Sequence, residues 1–199
     1  MRIWLAPVRY YQITHSGKLM RDWIAPSLVA AVTAVLVLIN LKTIRIFERG
    51  LIDDFNPMLA MLAGLYIAAL TAVASLPNRN LDRLIQGDTP TIPVLERGTI
   101  YQVELTRRRY LSLLFGFLAY LCIFAYLVGI VAKHTAPLLS PLIPADVATW
   151  VNFGGLFGYF FLIASILIHS IVGIHYLQER IHRASSKPDA QRPDDKSGS

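Results

Sequence analysis

The sequence predicts an all-α, polytopic membrane fold of four transmembrane helices with both termini in the cytosol. Three observations predict it. Of the 199 residues, 54% are hydrophobic and only 16% charged, a balance too apolar for a water-soluble domain of this size. Four long windows, residues 23–41, 55–78, 110–132 and 147–178, carry no Asp, Glu, Lys or Arg. The 19 basic residues are also unevenly spread: 15 fall before the first window, between the second and third, and after the fourth, against 4 in the other two loops.

Each window meets the length requirement of a bilayer, since about 20 residues at 1.5 Å rise cross roughly 30 Å of hydrocarbon. Backbone groups in that layer have no water to bond, so helix is the expected conformation. Loops rich in Lys and Arg stay on the cytosolic side, which places the termini and the middle loop inside. The expected organisation is an interfacial segment over residues 1–21 and a membrane domain over 22–183. Its spans run at about 23–42, 56–77, 109–133 and 149–177, with a cytosolic loop over 77–108, and a disordered polar tail follows over 184–199. The first window is expected to be retained rather than cleaved, because no small-residue cleavage site precedes it. A bacterial inner membrane is the expected location, with the lipid bilayer itself as the first partner.

Within this frame each element has its own signals. In the first span, Pro26 is expected in the first helical turn, where a missing N–H costs least, and the span ends at Asn40. The second span carries Ala60, Gly64, Ala68 and Ala72 at intervals of four, a face that lets another backbone approach closely. Gly154 and Gly158 give the fourth span a similar GxxxG face. Two such faces in one small chain predict that at least one is used between subunits of a homo-oligomer; internal packing of the four helices is the competing use.

The loops are less regular. Residues 42–56 mix Ile44, Phe47 and Phe55 with Arg45, Asp53 and Asp54, as expected of amphipathic material along an outer interface. In the middle loop, Leu81 to Gln86 could form one or two helical turns stopped by Gly87 and Pro90. Thr99 and Gln102 fit a capping box, so a helix is expected to start near Thr99 and run into the third span; the competing strand over 101–105 lacks an obvious partner. Arg97 and Gly98 read as turn chemistry. Arg107, Arg108 and Arg109 fall at head-group depth and anchor the third helix there, with a lipid or partner-protein contact as the alternative. Pro137, Pro141 and Pro144 are expected to forbid a regular helix across residues 134–149.

Several function classes drop out at this stage. The single cysteine, Cys122, excludes an intramolecular disulfide framework and a cysteine-based metal cluster. The net charge of +6 is accounted for by topology, and no aromatic-interleaved basic surface calls for nucleic acid. No nucleophile elbow or other enzyme motif is present, so no catalytic, cofactor-binding or metal-ligating residue is assigned. The windows contain no acid, lysine or arginine; His169 and His175 are their ionisable groups, which weakens a proton- or ion-coupled transporter. His169 shares a helical face with Ser165, while His175 and His182 stand too far apart to hold one ion. Asn40, Asn152, Thr71 and Ser75 are expected to seek interhelical hydrogen bonds or to line a narrow polar path, with Ser165 and His169 as further candidates for that path.

One resemblance adds to this reading. The chain joins a short N-terminal segment to Leu51, Ile52, Asp53, Asp54, Phe55, Asn56 and Pro57, then to a small-rich second span holding Ile67, Ala68, Ala69, Leu70 and Thr71, then to a basic loop and an aromatic third span. In this it resembles the small four-helix membrane proteins of bacterial phage-exclusion and defence systems, the RexB-type channel and, in architecture, the Kiwa membrane component. Its longer middle loop and polar tail depart from that pattern. The resemblance implies membrane-based detection of infection or depolarisation of the infected cell, and it carries over no catalytic or binding residue. The function expected is therefore a self-associating sensor or pore-type effector, an ion channel in antiviral defence. The alternatives are a non-catalytic scaffold that anchors a soluble cytosolic partner through residues 77–108, and a transporter subunit.

Overall fold

The computed structural model describes residues 10–11, 13, 18–39, 51–75, 77, 82, 84, 90–96 and 99–185. The first helix is already formed at Lys18, passes through a π-helical turn at Met20–Ile24, and continues as α1, Ala25–Ile39. α2 spans Leu51–Ser75, α3 spans Arg107–Leu139 and α4 spans Ala145–Ser185. Among the described residues, four helices are long and apolar enough to cross a membrane, over Met20–Ile39, Ile52–Ser75, Arg107–Leu139 and Asp146–His175. Between α2 and α3 lies an antiparallel hairpin of β1, Thr91–Glu96, and β2, Thr99–Glu104.

Side-chain size sets how the helices meet. The buried face of α1 is a narrow stripe of Pro26, Ala30, Ala34 and Val37, and it lies on α4 against Leu156, Tyr159, Phe160 and Ile163. α2 turns Leu59, Ala63, Tyr66 and Val73 toward α3, whose Leu111, Leu114, Leu118, Cys122 and Ala125 are fully buried. α3 and α4 also pack on each other, and α2 reaches α4 through Ile52, Phe55 and Tyr66. The windows on α3 and α4 are 50% and 44% buried, against 28% and 22% on α1 and α2.

Three expectations are corrected here. Pro26 is not in a first turn, because the helix begins eight residues earlier, at Lys18. Lacking an N–H, Pro26 cannot bond the carbonyl of Asp22, and the preceding turn is π-helical, with the Ala25 N–H reaching the carbonyl of Met20. The helix expected from Thr99 is instead β2, paired from Thr91–Glu104 to Glu96–Thr99. Thr106 decides this: its hydroxyl accepts from the Arg109 N–H at 3.4 Å and its carbonyl from the Tyr110 N–H at 3.0 Å, so the cap of α3 lies seven residues beyond Thr99. The partner strand holds Pro93, which costs nothing on a two-stranded sheet where one edge is always unpaired. The third correction concerns residues 134–149. α3 continues through Pro137 to Leu139, a short 3-10 turn covers Ser140–Leu142, and the Pro144 carbonyl accepts from Val147 and Ala148 at 3.0 Å to open α4. Each proline sits at or near a helix end, where its missing N–H is least needed.

The hairpin is not free of the bundle. The buried Ile92 and Leu105 join the α2–α3 core, and the Leu105 N–H donates to the Pro90 carbonyl at 3.1 Å. Leu84 forms a bridge with Thr106 rather than a helical turn; most of residues 81–86 lie outside the described residues. The same holds for residues 42–50, Asn40 and the tail beyond Ser185, so most of the amphipathic outer loop, the end of the first span and the tail expected to be disordered lie outside the described residues. Residues 51–56, expected in the outer loop, form the first turns of α2, with Asp53 and Asp54 at its N-terminal end.

Candidate functional site

At the end of the molecule where the first helix begins and α3 starts, Asp22 and His169 meet with no exposed surface on either. The π-turn presents Asp22 from the first helix, and α4 presents His169. Nε2 of His169 lies 3.2 Å from Oδ1 of Asp22, while Nδ1–H donates to the Ser165 carbonyl at 2.7 Å. Two cations flank the carboxylate: Arg21 Nε at 3.4 Å from Oδ1 and Lys18 Nζ at 3.8 Å from Oδ2. Oδ2 has no hydrogen-bond partner among the described residues.

Aromatic rings wall this pair. Tyr10 stacks on Phe117 of α3 at 4.8 Å and meets the imidazole edge-on at 5.4 Å. Phe117 lies edge-on to the same imidazole at 5.6 Å. Lys18 fastens the N-terminal segment over the pair, donating to the carbonyls of Tyr10, Tyr11 and Ile13. Burial pushes the Lys18 ammonium down from its ordinary value, with the Asp22 charge opposing the shift. Burial, reinforced by the neighbouring Tyr110 hydroxyl, pushes the Tyr10 phenol up. Both directions report a water-poor environment.

The expected site residues are placed as follows. Ser165 and His169 are both buried on α4, but they meet through the Ser165 backbone; the hydroxyl of Ser165 has no hydrogen-bond partner among the described residues and receives no imidazole nitrogen. Asn152 is exposed, about 20 Å along α4 from Ser165 at 1.5 Å per residue, and is not brought to the pair. Thr71 and Ser75 bond the carbonyls of Ile67 and Thr71 in their own helix, so the expected interhelical role is corrected. A hydroxyl in an apolar setting takes the carbonyl four residues back, which is always within reach. The interhelical hydroxyl pair is instead Tyr66 of α2 with Ser170 of α4; Ser170 gives its hydrogen to the Ile166 carbonyl, leaving Tyr66 as the donor to Ser170.

Of the three arginines, Arg108 is turned inward. It donates to both carboxylate oxygens of Asp82 at 2.8 and 3.3 Å, and to the carbonyls of Val73 and Ala74 at 3.0 and 3.2 Å, where α2 ends. Arg107 is half-buried and Arg109 exposed. Ala60, Gly64, Ala68, Ala72, Gly154 and Gly158 are all exposed, and a Cβ built on Gly64, Gly154 or Gly158 would meet nothing within 4 Å.

Asp22 was not singled out from the sequence, because it stands one residue outside a window defined by the absence of charge. The signal was present: the helix-breaking Pro26 four residues on, and an acid flanked by Arg21 and Lys18 at a span's edge. Among the described residues, no three His, Cys, Asp or Glu side chains come together as a metal site would need. No protein-family model, curated protein or solved structure matches this chain.

Proposed function

We propose that the chain is a multi-pass protein of a bacterial inner membrane that self-associates in the bilayer and acts as a sensor or pore-type effector. Anti-phage defence is the setting that its resemblance implies. The observation that carries this reading is the outward placement of both small-residue faces. Ala60, Gly64, Ala68 and Ala72 run along the exposed side of α2, and Gly154 and Gly158 along that of α4. Space left open beside a glycine in an apolar helix is where a neighbouring helix gains van der Waals contact, since lipid supplies no hydrophobic drive. Arg107 and Arg109 then sit at the cytosolic head groups, with Arg108 holding the ends of α2 and α3 together.

The test is assembly in nanodiscs, read by chemical crosslinking, together with membrane potential in cells that overproduce the chain. Ala68→Leu and Gly158→Leu are expected to weaken self-association tenfold or more, equivalent to about 1.4 kcal/mol, and to abolish depolarisation while leaving the thermal melt unchanged. Depolarisation that persists in a variant proven monomeric refutes the pore.

A scaffold is the second reading, favoured by the hairpin, where Tyr101, Gln102, Val103 and Glu104 are all exposed. It predicts no change in membrane potential and loss of a soluble partner when residues 81–104 are replaced by a flexible linker.

A further inference from the structure

The geometry points to a proton-binding site formed by Asp22 and His169, in which one shared proton ties the π-turn of the first helix to α4 and keeps Tyr10, Tyr11 and Ile13 seated on Lys18. It stands independently of self-association.

The number of protons follows from the bonding partners. A carbonyl oxygen only accepts, so Nδ1 of His169, 2.7 Å from the Ser165 carbonyl, carries a hydrogen. This leaves Nε2 facing Oδ1 of Asp22 at 3.2 Å. Without a second hydrogen, two lone pairs would oppose each other across that distance. With one, either Nε2–H donates to the carboxylate or the Asp22 carboxyl donates to Nε2, and the contact is made in both cases. The pair therefore holds one exchangeable proton beyond the one on Nδ1. Both side chains lack exposed surface, so no water replaces the bond when that proton leaves for the bulk.

Every element around the pair bears on its charge. From the first helix come Lys18 and Arg21, 3.8 and 3.4 Å from the carboxylate. From the N-terminal segment come Tyr10, whose ring meets the imidazole, and Tyr11; from α3 comes Tyr110, close enough to couple to Arg21 and Asp22. α4 adds Ser165 beside His169 itself. Lys18 and Arg21 lie beside the carboxylate, and the bond between the pair is charge-assisted when the shared proton is on the imidazole. Oδ2 of Asp22, which has no hydrogen-bond partner among the described residues, is where a departing contact would be remade, toward Lys18.

Lys18 transmits the change. The ammonium that lies beside Asp22 also binds the carbonyls of Tyr10, Tyr11 and Ile13. When the proton leaves, Nε2 repels Oδ1, Asp22 turns to Lys18, and the ammonium is drawn off the three carbonyls. The contacts of Tyr10, Tyr11 and Ile13 beside the site are loosened: they hold when the pair is protonated and weaken when it is not.

The test uses the full chain in phosphatidylcholine–phosphatidylglycerol nanodiscs with 15N-labelled histidine, the His169 signals being assigned by their loss in His169→Gln. The expected result is an Nδ1 that stays protonated from pH 4 to 10 and an Nε2 that loses its proton in one step. In a W4F/W150F chain, Trp23 is the remaining indole, 5.9 Å from Tyr11 and 6.0 Å from Phe161, and its emission shifts at the same midpoint. Exchange of the Ile13 amide, which bonds the Tyr10 carbonyl, gives that readout without tryptophan substitution. Asp22→Asn keeps the shape and offers an amide donor to a neutral Nε2, so it should preserve the melt and move the midpoint by more than one pH unit. An unprotonated Nδ1, no step between pH 4 and 10, an unshifted midpoint in Asp22→Asn, or an Nε2 step with no change at Trp23 and Ile13 would each overturn the proposal.

Discussion

A Cβ at Gly129 would lie 2.7 Å from Oδ1 of Asn56, 3.2 Å from Cγ2 of Ile52 and 3.3 Å from the Tyr159 hydroxyl. Three elements meet there, so no single neighbour can step aside. Gly129→Ala is expected to destabilise the chain by about 1–3 kcal/mol, as overpacking does, read as a lowered unfolding midpoint in detergent. Gly64→Ala should leave that midpoint unchanged or raise it, since nothing lies within 4 Å and alanine is the better helix former. At the opposite end, the Arg108 hydrogen bonds hold the Asp82 carboxyl below the usual carboxylate range. Its folded pKa is the lower one, so the stabilisation is complete above the unfolded value near ~3.9 and disappears as pH falls through the folded value. Asp82→Asn should therefore lower the melting midpoint slightly at neutral pH, where the pair is fully formed, and flatten the acid limb below about pH 4, so that the two profiles converge in acid. Single residues were the least legible scale. Gly129 reads like any other glycine, and the closeness of Asp22 to His169 depends on a contact across 147 positions that no local pattern encodes.

Elements were legible where one physical requirement dominated. Charge-free stretches of bilayer length gave the four helices, because only a helix satisfies its own backbone in lipid. Where two local rules competed, tertiary structure decided between them. Thr99 and Gln102 satisfy a capping pattern, yet the β-branched and aromatic run through Val103 found a partner in Thr91–Glu96, and Thr106 took over the cap. Pro137 breaks a helix interior but closes a helix end without difficulty. The π-turn is the clearest case in which one residue sets the geometry of an element. Pro26→Ala restores the N–H that Asp22's carbonyl lacks, so the turn should rewind to α-helical spacing and rotate Asp22 away from His169. The expected reading is the pH response of Asp22→Asn, obtained with the carboxylate still present.

On the scale of the whole molecule, the ends of the helices sort into two groups. The start of the first helix, the end of α2, the start of α3 and the His169 region of α4 lie together, tied by Asp22, Arg108 and Tyr66. Asp53 and Lys133 pair at the other end, with Asn56 and Tyr159 nearby. This alternation suits the four crossings proposed, and on that proposal the excess of Lys and Arg would place the first group on the cytosolic side. A green fluorescent protein fused to the C-terminus is expected to fluoresce, and an alkaline phosphatase fused there to be inactive; the reverse pair of results would invert the topology.

Along the chain one packed pair nests inside another, α2 on α3 within α1 on α4. A ribosome delivers α2 and α3 consecutively, so on the membrane reading proposed above they could clasp each other soon after entering lipid. α1 has left the translocation machinery long before, and its alanine stripe and the acid at its base must wait for the last helix to arrive. A nascent chain halted after α3 would therefore lack the His169 that faces Asp22 in the finished fold.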